Sequence, residues 1–257
     1  MKSVLPTLLR RLVSPRPPAA SRFPETIDLG GRSLPVVVRP HAAARRITMR
    51  LAPGGEAVRL TVPPRVSPTL VAAFLDRHAG WVRERLAGAP PLDLVAPGTL
   101  LPFRGGTLRC RHETGRRAAR IEANGPGDHG LTVGGDPARF ARRVRDALKR
   151  EARGDLEAAV AGHAQAVGLA PRAIALKDTV SRWGSCTADR RLAFSWRIVM
   201  APPFALDYLA AHEVAHFREM NHGPRFWALC RELCPDMDRG RAWLKSEGAS
   251  LHRFRFD

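Results

Sequence analysis

This sequence of 257 residues contains no long hydrophobic run. A membrane-crossing helix needs about 20 apolar residues in succession. The chain has no run of 18, so a transmembrane helix is excluded. The start of the chain is basic, and Pro15, Pro17 and Pro18 interrupt the apolar core that a signal peptide requires. We therefore expect residues 1–25 to form a flexible N-terminal tail.

Cysteine is also scarce, with four residues at positions 110, 186, 230 and 234. No CxxC pair occurs, so the spacing favours neither a disulfide framework nor a cysteine-rich zinc site. Cys230 and Cys234 are four residues apart and fit a buried helix face as two small core residues. The absence of a disulfide pattern predicts a reducing compartment, the cytoplasm.

Acidic residues are few: the chain has 24 Asp and Glu against 42 Lys and Arg, which gives a net charge of +18. Residues 1–150 hold 27 cations and 11 anions, whereas residues 151–257 hold 15 and 13. Such an excess indicates an anionic partner, either nucleic acid or a lipid surface. It also arises from composition alone, because Arg, Ala, Gly and Pro are abundant together. Both interpretations stay open.

The first half of the chain has the pattern of short strands with one helix inserted. Runs at 36–38, 46–51 and 57–62 are β-branched or alternating, and Gly54-Gly55 between the last two is a hairpin signal. Ser67-Pro68 then predicts a helix start. Strand patterns return from 99 to 133. We predict a β-rich N-terminal region over residues 26–134.

The composition shifts near residue 135, where a long helix is predicted. Apolar residues follow at four-residue steps and Gly168 closes the helix. Strands at 174–176 and 192–196 come next, followed by a helix from about 205 to 220 and two shorter helices. We predict an α+β fold in which residues 135–257 form a separate catalytic domain.

The pattern His212-Glu213-Val214-Ala215-His216 decides the functional interpretation. On an α-helix, residues four apart share a face, so both imidazoles can reach one metal ion. Glu213 projects near the same point and can accept a proton from a metal-activated water. The sequence therefore predicts a metal-dependent hydrolase.

A catalytic zinc site has three protein ligands and one open position. We favour His222 as the third ligand, six residues after His216. Asn221 can adopt a left-handed conformation and Gly223-Pro224 stops a helix, so the chain can turn back at this point. The competing third ligands are Glu219, Glu232, Asp236 and His252.

A second informative segment runs from Ser181 to Cys186. Arg182 can bind a carboxylate or phosphate, and Trp183 can form a pocket wall. A tight turn with a buried tryptophan explains the same residues. Cys186 can act as a nucleophile, but no histidine is associated with it in the sequence.

Together these residues resemble the YgjP-like metallopeptidase domain family, which is related to SprT-type zincins. The resemblance spans roughly residues 30–245 and is most specific in the last seventy. The segments that carry it are Arg182–Cys186, Ser195–Arg197, Ala201–Pro203, Asp207-Tyr208, His212–His216, Met220–His222 and Phe226-Trp227.

The resemblance implies a zincin-like fold around one zinc ion, with His212, His216 and His222 as ligands and Glu213 as the catalytic residue. It predicts a metallopeptidase that cleaves peptide or protein substrates. Arg182, Trp183 and Tyr208 are candidate substrate-binding residues, with Arg182 and Tyr208 also candidates for stabilising an oxyanion.

Two other functions stay open. Some members of the family have been described as nucleotide pyrophosphatases, which makes a nucleoside triphosphate such as UTP an alternative substrate. SprT-like relatives act near DNA, so the basic N-terminal part can instead tether the protein to nucleic acid.

Overall fold

A computed structural model describes residues 23–52, 55–87, 93–115 and 118–256. The chain forms two compact units that divide between residues 88 and 89. We call residues 23–52 and 55–87 the N-terminal unit, and residues 93–115 and 118–256 the C-terminal unit. Most of the predicted tail, residues 1–22, lies outside the described residues.

The N-terminal unit is a four-stranded sheet with one helix. Its elements are β1 (Thr26–Asp28), β2 (Ser33–Pro40), β3 (Thr48–Leu51), β4 (Val58–Val62) and α1 (Pro68–Ala87). The strand order is β1-β2-β4-β3, with β2 and β4 parallel and the other pairs antiparallel. Buried side chains alternate along β4 and pack with the buried face of α1.

Two local signals in this unit are confirmed. β3 and β4 are antiparallel neighbours, and Gly55 between them has a φ of 68°, which a glycine adopts without strain; Gly54 lies outside the described residues. The Ser67 hydroxyl accepts a hydrogen bond from the backbone N–H of Leu70 at 3.2 Å and caps α1.

The C-terminal unit is larger and mixes strands with helices. Its strands are β5 (Asp93–Leu94), β6 (Leu100–Phe103), β7 (Gly106–Glu113), β8 (Arg120–Gly125), β9 (Asp128–Gly134), β10 (Ala173–Lys177), β11 (Gly184–Cys186), β12 (Arg191–Ser195) and β13 (Phe254–Arg255). Its α-helices are α2 (Phe140–Val167), α3 (Pro203–Ala215), α4 (Pro224–Leu233) and α5 (Met237–Ser246). This mixture confirms the predicted α+β class.

The predicted division between residues 134 and 135 falls inside the C-terminal unit. Strands β6 to β9 form one sheet in the order β6-β7-β9-β8, and its buried residues share a core with α2 and α3. Leu108 and Leu131 on the strands and Val144 and Leu148 on α2 are all fully buried. The composition shift near residue 135 therefore marks the start of α2. The assignment of residues 135–257 as the catalytic domain stays a prediction.

Helix α2 ends as predicted. Gly168 has a φ of 67°, in the left-handed region, and its backbone N–H contacts the carbonyls of Ala164 and Gln165. Leu169 donates a further hydrogen bond to the Ala164 carbonyl at 3.1 Å. These contacts give hydrogen-bond partners to backbone carbonyls in the last turn of α2.

The elements that carry the candidate site follow α2. Strands β10, β12 and β11 form a sheet in that order, with β11 at one edge and antiparallel to β12. Helix α3 contacts α2, α4 and α5, and it also contacts β11. None of the helices in the described part of the chain combines the length and hydrophobicity that a membrane crossing requires.

The prediction that this helix continues to Met220 is wrong, because α3 ends at Ala215. Phe217 donates its backbone N–H to the Val214 carbonyl at 2.9 Å, which tightens the last turn. The Arg218 guanidinium then donates to the Val167 carbonyl at the end of α2, at 2.7 Å. This side-chain bond holds the chain in a turn where the sequence pattern alone suggested more helix.

Candidate active site

Helix α3 carries three of the predicted site residues. It begins at Pro203, where a missing backbone donor costs nothing. Its apolar residues Leu209 and Val214 are buried in the main core of the C-terminal unit. Packing on that side fixes the helix rotation, so Glu213 is only 4% exposed and His216 only 9%.

Three imidazoles come together at the end of α3. The nitrogen atoms that His212, His216 and His222 can offer to a metal all lie within 4.8 Å of one another. Nε2 of His212 and Nε2 of His222 are 3.1 Å apart. Two ligands of one tetrahedral zinc stand about 3.3 Å apart, given Zn–N bonds of about 2.0–2.1 Å. The three residues therefore fit a shared metal ion.

His222 reaches this cluster because the chain turns back after α3. Gly223 donates its backbone N–H to the Asn221 carbonyl at 2.7 Å, and α4 begins immediately afterwards at Pro224. Asn221 does not take the predicted left-handed conformation, since Arg104 and Arg190 are the non-glycine residues with positive φ in the described chain. The early end of α3 supplies the reversal instead.

The orientation of two imidazoles is fixed by their Nδ1 atoms. His216 Nδ1 donates to the backbone carbonyl of Glu219 at 3.0 Å. His212 Nδ1 lies 3.4 Å from the hydroxyl of Tyr208, one helical turn earlier. The carbonyl partner places the proton of His216 on Nδ1, so its Nε2 lone pair is free for a metal, and His212 presents Nε2 in the same way when its Nδ1 donates to the Tyr208 hydroxyl.

A buried aromatic ring supports the whole cluster. Phe226 on α4 is fully buried, and its ring centroid lies 4.5 Å from that of His216, 4.6 Å from that of His222 and 4.9 Å from that of His212. It thus limits the movement of all three imidazoles. Phe226 belonged to the family resemblance, but its supporting role could not be assigned from sequence.

The electrostatics favour neutral histidines. Burial, together with the neighbouring histidines, lowers the pKa of His212 to about 4. Burial also lowers the pKa of His216. Both imidazoles are therefore unprotonated at neutral pH, which is the form that binds a metal.

The pKa of Glu213 is raised, in contrast to the lowered pKa values of the histidines. Burial raises the pKa of its carboxyl to about 7, although the charge of Arg182 works against this rise. A group that titrates near neutral pH can both accept and return a proton under working conditions. The carboxylate sits against Gly184 of β11, where a side chain would overlap it.

The other candidates do not join the metal cluster. Among the described residues, the group of three potential ligands contains none of the competing third ligands. Glu219 contributes only its carbonyl, and His252 packs against Trp183 with ring centroids 5.3 Å apart. Burial, with a smaller contribution from Glu213, raises the pKa of the Cys186 thiol to about 11, so this cysteine is not an activated nucleophile.

A cavity of about 320 Å³ opens beside the cluster, within the range of about 300–1,000 Å³ that small-ligand sites occupy. The residues that line it are Trp183, Gly184, Tyr208, Leu209, His212, Glu213, Arg241, Leu244 and Lys245. Two of the predicted substrate-binding residues, Trp183 and Tyr208, are thus in the cavity wall. Arg182 lies outside the lining, but it is close enough to influence Glu213.

The sequence interpretation missed the contribution of α5 to this cavity. Arg241 and Lys245 are four residues apart, a spacing that places two cations on one helix face. This signal was visible in the sequence. What could not be read was which face of the short helix is turned towards the site.

The comparison with protein families agrees with this geometry. The description "YgjP-like, metallopeptidase domain" matches residues 45–247. The chain belongs to this family, as the resemblance predicted, and the family indicates a metallopeptidase-type hydrolase. No curated protein and no solved structure gives a significant match to the chain.

Proposed function

We propose that this protein is a zinc-dependent peptidase with His212, His216 and His222 as the metal ligands and Glu213 as the general base. The observation that carries the proposal is the convergence of three imidazoles next to a buried carboxylate in a cavity. All-nitrogen ligand sets of this kind suit zinc. The family membership supports the same class of reaction.

When bound, zinc supplies a Lewis acid that polarises the scissile carbonyl and lowers the pKa of a water molecule. The protein contributes the proton transfers. Glu213 accepts the proton of the attacking water on its carboxylate and then donates it to the leaving amine. Its buried position and pKa of about 7 suit both steps at neutral pH.

The test compares the wild type with Glu213→Gln in the full-length, zinc-loaded protein. Casein and UTP are offered as substrates, and bound zinc is measured by elemental analysis. We expect peptide cleavage in the wild type, loss of at least about 10²-fold in the variant, and one zinc in both. Glu232→Gln, on the exposed surface of α4, serves as the matched control and retains activity.

Full activity of Glu213→Gln would contradict the mechanism. Release of pyrophosphate from UTP without cleavage of casein would favour the alternative prediction, a zinc-dependent nucleoside triphosphate pyrophosphatase, over the peptidase. The four free thiols of the chain support the proposal that the protein works in a reducing compartment, the cytoplasm.

A second candidate function, nucleic-acid binding, is favoured by one feature of the N-terminal unit. Arg50 on β3 lies directly opposite Arg59 on β4, and both are exposed on the sheet. Like charges in this position destabilise a sheet. Neither of these arginines forms an ion pair with a described residue. Arg39 on β2, also exposed, extends the same basic face, which we propose contacts phosphates.

This proposal predicts a strong dependence of binding on salt. The slope of log K against log salt for duplex DNA is about −0.9 for each phosphate contact, so we expect about −2 to −3. Arg50→Gln with Arg59→Gln should remove about two units of that slope. Arg77→Gln with Arg83→Gln removes the same charge from α1 and serves as the control. A salt-independent affinity, or equal effects of both pairs, would contradict it.

A further inference from the structure

The wall of the active-site cavity formed by α5 is cationic. Arg241 and Lys245 stand one helical turn apart and line the same cavity as Glu213 and His212. Neither cation forms an ion pair with a described residue. The one acidic residue in the lining is Glu213. With Glu213 ionised, these three side chains carry a net charge of +1, so the cavity favours a ligand with one negative group.

A glycine places this helix against the site. A Cβ at Gly240 would overlap the Cβ of Tyr208, and it would lie 2.9 Å from Cγ of Tyr208 and 3.0 Å from the carbonyl oxygen of Phe204. Only hydrogen fits in that space, so α5 can approach α3 closely. Because Arg241 is the next residue, this approach brings its guanidinium to the cavity.

The position of Arg241 is further limited by an aromatic ring. Its guanidinium carbon lies 4.6 Å from the ring centroid of Trp227 on α4. Stacking of this kind restricts a long side chain while leaving its N–H groups available to an anion. The guanidinium of Arg241 is therefore preorganised for binding, because less side-chain entropy is lost when a ligand binds.

The rest of the lining is largely apolar. Trp183, Leu209 and Leu244 supply this surface. A ligand that fits combines one negative group with an apolar body of side-chain size. A peptide carboxylate next to an apolar residue has this form.

From this chemistry we propose that Arg241 and Lys245 bind a carboxylate of the peptide substrate beside the scissile bond. The inference rests on the proposed peptidase function and narrows its substrate class. The carboxylate comes either from the C-terminus of the peptide or from an acidic side chain. The first source makes the enzyme a carboxypeptidase, and the second gives it a preference for acidic residues.

The test measures binding to the full-length, zinc-loaded Glu213→Gln protein by isothermal titration calorimetry. Three N-acetylated pentapeptides serve as probes: one with a free C-terminal carboxylate, its C-terminal amide, and the amide with Glu as its last residue. We expect at least one carboxylate peptide to bind about tenfold or more tightly than the neutral amide, as a charge-assisted hydrogen bond gives. The peptide that gains affinity identifies the source of the carboxylate.

Variants then assign the effect to the two cations. Arg241→Met and Lys245→Met keep an unbranched stem and remove the charge, and each should reduce the preference for the carboxylate about tenfold. Arg239→Met is the matched control, because Arg239 lies on the same helix but faces Asp236 and Phe204. It should leave the preference unchanged.

Three results would overturn the inference. Equal or undetectable binding of all three peptides excludes a carboxylate subsite. A preference that persists in both Met variants assigns the carboxylate to the metal. Tighter binding of UTP than of every peptide, lost in the Met variants, assigns the cations to phosphate. Cleavage of the amide and the acid is followed in parallel with active enzyme, so absence of cleavage counts against the peptidase function alone.

Discussion

Gly184 on the edge strand β11 lies in direct contact with the carboxylate of Glu213 on α3. A Cβ added to Gly184 would overlap Oε1 of Glu213 and lie 2.8 Å from its Cδ and Cγ. Side-chain carbons do not approach other atoms this closely. Strand β11 and helix α3 therefore pack as tightly as they do only because residue 184 has no side chain.

We predict that Gly184→Ala moves the Glu213 carboxylate and impairs catalysis while the metal ligands stay in place. A displacement of about 1 Å in a reacting group can cost on the order of 10²-fold in rate. Peptidase assays should show this loss in kcat, and elemental analysis should still find one zinc. Unchanged kcat would show that the contact does not position Glu213.

A matched glycine is available in α2. Gly154 is exposed on that helix, and an added Cβ there would meet no other atom within 4 Å. Glycine in the interior of a helix is less stable than alanine, because it loses more conformational freedom on folding. Gly154→Ala should therefore raise the free energy of unfolding by about 0.5–1 kcal/mol and leave kcat unchanged. Urea unfolding measures the first quantity. A destabilised Gly154→Ala protein would contradict the helix assignment.

The fold was predictable where the signals were local. The hairpin between β3 and β4 and the end of α2 at Gly168 depend on glycine conformations that the sequence displays. The end of α3 was not predictable in this way. The turn that follows α3 contains a bond from Arg218 to the Val167 carbonyl, and these residues are 51 positions apart. Long-range side-chain bonds leave no periodic pattern.

In the candidate site, too, local features were predictable from the sequence and long-range packing was not. His212 and Glu213 lie on α3, and His216 follows it directly in helical conformation, so spacing alone predicts the proximity of the three residues. The cavity needs β11 and α5 as well, and which of their faces meets α3 is set by the absent side chains of Gly184 and Gly240. A glycine that permits close packing looks in sequence like any other glycine.

The third ligand can be tested against its competitors. We predict that His222→Ala greatly weakens zinc binding, because one of three imidazoles is removed from the cluster. Glu232→Gln and Asp236→Asn change exposed residues outside that cluster and should retain one zinc per chain. Zinc content after dialysis against a weak chelator gives the answer. Loss of zinc from either control would assign the third ligand elsewhere.

Tyr208 has two possible roles that give different results on substitution. Its hydroxyl lies 3.4 Å from Nδ1 of His212, and burial raises its pKa to about 12, so it stays protonated at neutral pH. We predict that it orients His212, and that Tyr208→Phe weakens zinc affinity by about 10–100-fold. Competition with a chromogenic chelator measures this affinity. A fall in kcat at unchanged zinc affinity would instead favour stabilisation of an oxyanion.

His252 predicts a specific acid sensitivity of the C-terminal unit. Its imidazole packs against Trp183, and burial, aided by the charge of Arg197, lowers its pKa to about 4 from an ordinary value of about 6.5. Between these two pH values the unfolded chain binds the proton and the folded chain does not. The contribution of His252 to the free energy of unfolding is therefore fully present above about pH 6.5 and is lost as the pH falls to about 4.

The variant His252→Phe keeps a ring against Trp183 and removes the titration. Its free energy of unfolding should depend less steeply on pH between about 6.5 and 4 than that of the wild type, as measured by urea unfolding at several pH values. The comparison isolates His252 from His212 and His216, whose pKa values are also lowered and which both proteins retain. Identical slopes in the two proteins would show that His252 is not held in its neutral form by the fold.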